Sequence, residues 1–321
     1  MQRREFIGLV GGAAAWPVVA RAQSFPARPV RIIVPFAPAG GTDILARLLG
    51  QWLSERIGQP FIIENRPGAN TNVGTEAVVK ADPDGYTLLL VDPSPATNVT
   101  LYENLNFNFI RDIAPVTGLI RQPLVMVVNS SFPAKTVPEF IALAKVNPDK
   151  INMASAGLGN VTQLAGELFK TMTGVNMTNV PYRGSGPALT DLLAGQVQVM
   201  FSSMPASIEY IKAGSLRALA VTTAMRSEAL PDIPTVSEYV PGYEASSWYG
   251  VGVPKNTPVE IIEKLNKEIN AALADPKMVV RLAVIGGGIV FQGSPADYGK
   301  LISDETVKWA KVIKAANIKI E

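Results

Sequence analysis

A chain of 321 residues, 47% of them hydrophobic, has room for two domains with full cores. It holds no cysteine and no histidine, which excludes disulfides, thiolate chemistry, Ser-His-Asp and Cys-His triads, and the usual zinc ligand sets. A formal charge of only +2 argues against nucleic acid or another polyanion as partner, so any anion must be captured by local donors.

Residues 1–22 read as an export leader. Arg3-Arg4-Glu5 gives a charged start with a twin-arginine look, Phe6 to Ala20 is apolar, and Ala20-Arg21-Ala22 is an A-x-A cleavage site. The apolar run is too short and too rich in Gly and Ala to span a bilayer. Cleavage after Ala22 is expected, with Gln23 as the new N-terminus and the mature protein in the bacterial periplasm. The remaining chain is charge-balanced, 26 basic residues against 26 acidic.

Val30 to Val34 is a β-branched run that predicts a buried strand. A Pro- and Gly-rich bend follows through Pro38, Gly40 and Gly41. Then Ile44, Leu45, Leu48, Leu49, Trp52 and Leu53 fall at helical spacing, and Gly58 and Pro60 stop the helix. In a strand–glycine turn–helix unit the first helical amides lack intrahelical partners and point into the turn. With the helix dipole they make a candidate anion cradle; an ordinary packing turn is the competing reading.

Phe61 to Glu64 predicts a strand, Asn65 to Asn72 a polar turn cluster, Val73 to Ala81 a helix and Tyr86 to Val91 a buried strand. Asp92 to Asn98 reads as a polar loop facing a cleft, and Pro123 to Asn129 as a strand. Thr136 to Lys145 is a helix opened by a capping box with Glu139. Ile151 to Ser155, Ala156 to Asn160, and the apolar stripe Leu164, Ala165, Leu168, Phe169 and Met172 repeat the opening design. Gly157-x-Gly159 is no dinucleotide fingerprint, because Thr162 stands at the third glycine position.

Strands over Met177–Tyr182, Val197–Phe201, Leu216–Val221 and Trp248–Pro254 alternate with a helix from Pro187 to Gly195, a Pro-rich crossing over Pro231–Glu244, and two late helices. Thr257-Pro-Val-Glu260 predicts a capping box for the first, and Ser294-Pro295 opens the second, with Leu301, Ile302, Trp309 and Ile313 inward. The alternation defines an α/β protein with mostly parallel, doubly wound sheets. No ligand-spaced acidic cluster is present, and no metal or cofactor is expected.

The order and spacing of these segments resemble the tripartite tricarboxylate transporter receptor family, or Bug family, of type II periplasmic binding proteins. The resemblance rests on Ile33-Val-Pro-Phe-Ala-Pro-Ala-Gly-Gly-Thr-Asp43, Glu64-Asn-Arg-Pro-Gly68 with Asn72 and Gly74, Ala154-Ser-Ala-Gly-Leu-Gly159, Val180-Pro-Tyr-Arg-Gly-Ser-Gly-Pro-Ala-Leu189, Leu216-Arg-Ala-Leu-Ala-Val-Thr222, Pro234-Thr-Val-Ser-Glu238 and Trp248-Tyr-Gly250. It implies two α/β domains, residues 23–124 plus 246–321 and residues 125–245, joined by crossing strands near Pro123–Val125 and Tyr243–Trp248, with a ligand cleft between them. It implies a monomeric receptor, not an enzyme, that binds a mono- or dicarboxylate and serves a membrane transporter or a sensor ectodomain. It also implies that the first glycine turn and the Ser155–Asn160 turn close on a ligand carboxylate from opposite sides. The family often has glycine where Ala39 stands, and serine and histidine where Asn160 and Gln163 stand. Those departures bear on the ligand rather than the fold.

Candidate ligand-binding residues are Phe36, Pro38, Ala39, Gly40, Gly41, Thr42, Asp43, Asn72, Ser94, Ser155, Ala156, Gly157, Gly159, Asn160, Gln163, Tyr182 and Arg183. Two roles are open to Asp43, a ligand contact or a first-turn carboxylate favouring its helix. Two are open to Arg183, a partner for a second carboxylate or a solvated loop charge. Trp248 and Tyr249 are candidates for pocket wall or for core. The alternative from another class, a periplasmic α/β hydrolase, lacks both a G-x-S-x-G elbow and a histidine base.

Overall fold

The computed structural model describes residues 25–38, 41–148, 150–284 and 288–319. The leader and its cleavage site, together with Ala39 and Gly40, lie outside the described residues. The sheet is organised around strand β4 (Ile113–Asn129), 17 residues long. Its first part, Ile113–Pro123, pairs antiparallel with β9 (Ser246–Pro254). Its second part, Leu124–Val128, pairs antiparallel with β7 (Val199–Ser203), and its other edge there takes β8 (Leu216–Val221). The partner changes between Pro123 and Leu124, so one strand belongs to both halves of the sheet.

Outward from β9 lie β3 (Thr87–Val91), β1 (Val30–Val34) and β2 (Phe61–Asn65), these three mutually parallel. Outward from β7 lie β5 (Asn152–Ser155) and β6 (Thr178–Pro181), parallel to one another and β5 parallel to β7. A short β10 (Ile289–Val290) pairs with β4, and two short helices, α4 (Phe109–Asp112) and α10 (Pro276–Val284), precede β4 and β10 in the chain.

Strand alternation builds a core on each side of each half. Val30, Ile32 and Val34 face Leu45, Leu49 and Leu53 of α1 (Gly41–Ile57) and Leu265 and Ile269 of α9 (Val259–Ala274). Ile33, Leu89 and Val91 face Val78 of α2 (Asn72–Val79), Ala96 of α3 (Pro93–Leu101), and Tyr298 and Ile302 of α11 (Pro295–Ala315). In the other half Leu124, Met126 and Val128 meet Phe140 of α5 (Val137–Val146) and Phe169 of α6 (Val161–Thr173). Val125 and Val127 meet Leu189 and Leu192 of α7 (Ser185–Leu193) and Ile208 of α8 (Met204–Lys212). Helix α11 also sends Trp309 and Ile313 into the Phe169 core, so it packs on both halves. The protein is thus α/β and doubly wound twice over. Among the described residues no helix is long and apolar enough to cross a membrane.

Three local expectations are corrected. The segment expected as a polar loop over Asp92–Asn98 is helix α3, capped by the Asp92 side chain, which accepts from Ser94 N at 3.1 Å. The capping box at Thr257–Glu260 does not form: α9 starts after Pro258, and Thr257 Oγ1 donates instead to Pro254 O. Strand β4 begins ten residues before the predicted Pro123, because Pro115 and Gly118 fall at irregularities in its pairing with β9 and interrupt the apolar pattern without ending the strand.

Gly250 of β9 lies directly against the Tyr298 ring, closer than any Cβ could be accommodated. Tyr298 is fully buried, so it has little room to retreat. Gly250→Ala is expected to lower stability by about 1–3 kcal/mol through overpacking, read as a lower urea midpoint with unchanged slope.

Candidate functional site

The strands β1, β2 and β3 run antiparallel to β5, β6 and β7, so the carboxyl ends of the two sets meet from opposite sides. After β1, β2 and β3 the chain enters turns at Pro35–Pro38, Pro67–Thr71 and Asp92. After β5, β6 and β7 it enters turns at Ala156–Asn160, Tyr182–Gly184 and Ser203. Residues of every one of these turns line a single cavity of about 990 Å³. Ligands in open α/β sheets bind outside the carboxyl ends of strands, and here two such edges face each other.

Each strand end leads into a helix, so the helix N-termini converge on the cavity. Its lining includes Thr42 in the first turn of α1 and the N-caps of five more helices: Thr71 of α2, Asp92 of α3, Asn160 of α6, Gly184 of α7 and Ser203 of α8. Each end carries unsatisfied amides and partial positive charge. Among the described residues, Arg183 and Asp92 are the only Lys, Arg, Asp or Glu side chains in the lining.

Of the residues singled out from the sequence, Phe36, Pro38, Thr42, Ala156, Gly157, Asn160, Tyr182 and Arg183 line the cavity. Ala39 and Gly40 lie outside the described residues, and Gly41 begins α1. The others stand behind the wall. Asp43 is buried and well bonded: Arg47 Nε donates to Oδ2 at 2.8 Å, Arg47 Nη2 to Oδ1 at 3.0 Å, and Asn65 Nδ2 to Oδ1 at 2.9 Å. Asn65 Nδ2 also reaches Phe36 O, so Asp43 holds the first turn against the end of β2. Asp43 is not among the residues that line the cavity, and these bonds give it a scaffolding role.

The second glycine turn is held by side chains. Thr162 Oγ1 accepts from Ala156 N at 2.8 Å, Gln163 Oε1 from Gly159 N at 2.7 Å, and Asn160 Oδ1 from Thr162 N at 3.0 Å. The Gly159 amide, expected to meet ligand, is therefore occupied by Gln163. Ser155 is buried, with Oγ 3.4 Å from Gly157 O. Gly159 O lies 3.4 Å from Thr97 Oγ1, a contact between the two edges of the cleft.

The turn after β2 is strained. Ala69, Asn70 and Thr71 have φ of 45°, 47° and 77°, three successive left-handed residues without a glycine, a conformation that costs about 1–2 kcal/mol per ordinary residue. Asn98 of α3 holds it: Asn98 Nδ2 donates to Asn70 O at 2.6 Å and to Asn72 Oδ1 at 2.7 Å, and Asn70 Nδ2 donates back at 2.8 Å. Asn72 is thus a brace. Thr71 Oγ1, buried in the cavity wall, has no hydrogen-bond partner among the described residues.

Asp92, Tyr249, Ser247, Tyr102 and Tyr210 are lining residues that the sequence reading did not place among the ligand contacts. Tyr249 lines the cavity while its neighbour Trp248 is core, as strand alternation requires. Asp92 is 4% exposed. Ser94, itself buried in α3, donates to it from N and from Oγ, at 3.1 and 2.9 Å. Burial outweighs these bonds and pushes the Asp92 carboxyl up to about 7 from the usual 3.8. Tyr182, at the far wall, is pushed up to about 12, first by burial and then by its bond to Asp191 at 2.6 Å.

A cleft walled by two opposed α/β edges, with helix N-termini converging on it, is the architecture of a solute-binding receptor. The comparisons specify which. The sequence model described as tripartite tricarboxylate transporter family receptor matches residues 45–318, and the chain belongs to that family, the Bug proteins. It is 39% identical to protein BugT of Bordetella pertussis over 319 residues, covering 98% of this chain and 96% of BugT. Among solved structures it is similar to Rpa4515 of R. palustris with adipate, at 40% identity and a TM-score of 0.87, covering 92% of this chain and 99% of that one. MatC of Rhodopseudomonas palustris with bound malate gives 32% identity and a TM-score of 0.82, covering 90% and 100%.

The Asp92 shift sets a pH dependence. The folded, ligand-free chain keeps a proton on Asp92 that the unfolded chain releases near 3.8, so stability falls as pH rises through about 7. Between pH 5 and pH 8 this group is expected to remove roughly 2–3 kcal/mol. Asp92→Asn keeps an N-cap acceptor and removes the titration. Urea unfolding at both pH values should show a smaller loss for the variant than for the parent.

Proposed function

We propose that this receptor captures a small organic carboxylate in the cleft and delivers it to a membrane transporter of the tripartite tricarboxylate type. The observation that carries the reading is the convergence of six helix N-termini on a cavity that also holds Arg183. Adipate and malate, named with the two similar structures, are carboxylates, which supports the same chemistry. A charge-assisted hydrogen bond contributes roughly 1.5–3 kcal/mol net and each helix end about 0.3–1 kcal/mol. A few such terms, less the cost of ordering the ligand, reach the roughly 8 kcal/mol of micromolar binding.

With two of the amides in the Ala156–Asn160 turn already bonded to Thr162 and Gln163, affinity on that side falls to Arg183, Asn160 and the remaining donors. Arg183 is the proposed partner of the ligand's anionic end. The proposed ligand contacts are Phe36, Pro38, Thr42, Ala156, Gly157, Asn160, Tyr182 and Arg183, backed by Asp43, Asn72, Ser94, Ser155, Gly159 and Gln163. The closing units are the two halves joined by β4, residues 23–124 plus 246–321 and residues 125–245. The protein acts in the periplasm after loss of residues 1–22; intact-mass measurement of the exported chain should give a protein beginning at Gln23, and a Met1 start would remove that part of the reading.

A thermal-shift screen of organic acids should raise the melting temperature for at least one carboxylate, since a ligand of the native state alone stabilises it. By calorimetry, Arg183→Ala should weaken that ligand about tenfold, ~1.4 kcal/mol. No response from any carboxylate would sink the proposal.

A further inference from the structure

The two charged side chains of the cavity stand on opposite edges. Arg183 follows β6 in one half, and Asp92 ends β3 in the other. They are unequal in setting. Arg183 is exposed, whereas Asp92 is almost wholly buried. A buried carboxylate is normally accompanied by a cation. Among the described residues no ion pair reaches Asp92; its hydrogen bonds come from Ser94 and from its own backbone amide, all of them neutral donors. The groups packed near it are Tyr249 of β9 and Tyr298 of α11, both neutral and both pushed up by burial and by the Asp92 charge.

The register explains the placement. Val91 pairs with Gly250, which sets Asp92 beside Tyr249 at the cavity floor. The Tyr249 hydroxyl is engaged by Ser247 and Thr42, which also line the cavity. The floor is therefore a polar patch around an acid, and among the described residues no cation pairs with it. Above about pH 7, where Asp92 is ionised, an aliphatic diacid reaching across from Arg183 would set its second carboxylate against a like charge. A ligand with a carboxylate at one end and an ammonium at the other would match both walls.

We propose that Asp92 is a specificity-determining residue that pairs with an ammonium group of the ligand, so that the receptor takes amino-substituted carboxylates in preference to simple diacids. This rests on the carboxylate-receptor reading and narrows it. The ammonium would provide the counter-charge that burial denies Asp92, while the Ser94 donors hold the carboxylate oriented toward it.

The test is calorimetric titration of the parent, Asp92→Asn and Asp92→Ser with matched pairs of probes: 5-aminopentanoate, glutamate and 6-aminohexanoate against glutarate and adipate. Both substitutions keep a side-chain acceptor at the cap, so a misfolded variant of one leaves the other to decide, with circular dichroism as the check. In the parent, at least one aminocarboxylate should bind tenfold or more tightly than the diacid of equal chain length. In the variants that preference should reverse. A parent that binds the diacids more tightly overturns the proposal, as does an aminocarboxylate affinity unchanged by both substitutions. If the diacids bind and the aminocarboxylates do not, only this proposal falls. If neither class binds, this proposal falls, and the carboxylate reading falls with it only when the thermal-shift screen of organic acids is also blank.

Discussion

The cleft exists because helix N-termini cannot be left dry and unpaired. A parallel strand followed by a helix always ends with orphan amides at the carboxyl edge of the sheet. This fold sets two such edges face to face, so six helix starts compete for acceptors in one cavity. Some are met internally, by Asn160, Thr162 and Gln163 around the second turn and by Asp92 at α3. What the protein does not meet, solvent or a ligand must. Binding in this architecture follows from the way the backbone terminates, and side chains decide how much of that capacity remains and for whom.

The strand–glycine turn–helix units at β1–α1 and β5–α6 were legible because apolar spacing and glycine change together at the boundary. The facing of the two turns was legible only through the family resemblance. Side-chain direction was not legible. Asp43 is in the right turn, but Arg47 one helical turn later and Asn65 at the end of β2 draw it away from the cavity. Asp92 falls in a segment that the sequence places as a polar loop facing the cleft, but nothing in Asp-Pro-Ser-Pro singles out the aspartate as a lining residue. The same letters suit a helix start: the aspartate caps, and Pro93 and Pro95 both fall in the first turn, where a missing N–H loses nothing.

The left-handed run Ala69–Thr71 has no signal of its own, since a sequence rule expects glycine wherever φ is positive. It is stabilised from elsewhere in the chain, by Asn98 on the next helix. The crossings between halves have a similar tertiary origin. Arg121, just before β4 changes partners, donates to Ser246 Oγ at 2.6 Å and pairs with Glu244 and Glu305 at 3.2 and 3.3 Å. Glu305 is buried and also accepts from Trp309 Nε1 at 2.8 Å. One guanidinium thus ties the outgoing strand, the returning segment and α11 together, and none of these partners is near another in sequence except Glu244 and Ser246.

Strand β4 has a consequence for modularity. Because its first part completes one sheet and its second part completes the other, removing the second half as one segment cuts inside a strand and leaves the first half as two pieces of chain. The first half is moreover built from both ends of the chain, with β9 inserted between β3 and β4. A lineage could not exchange one half for that of a relative by joining genes at a single point; two junctions are needed, and one of them falls inside a continuous strand. Ligand preference in such a receptor changes more readily by substitution at the turns than by recombination of lobes.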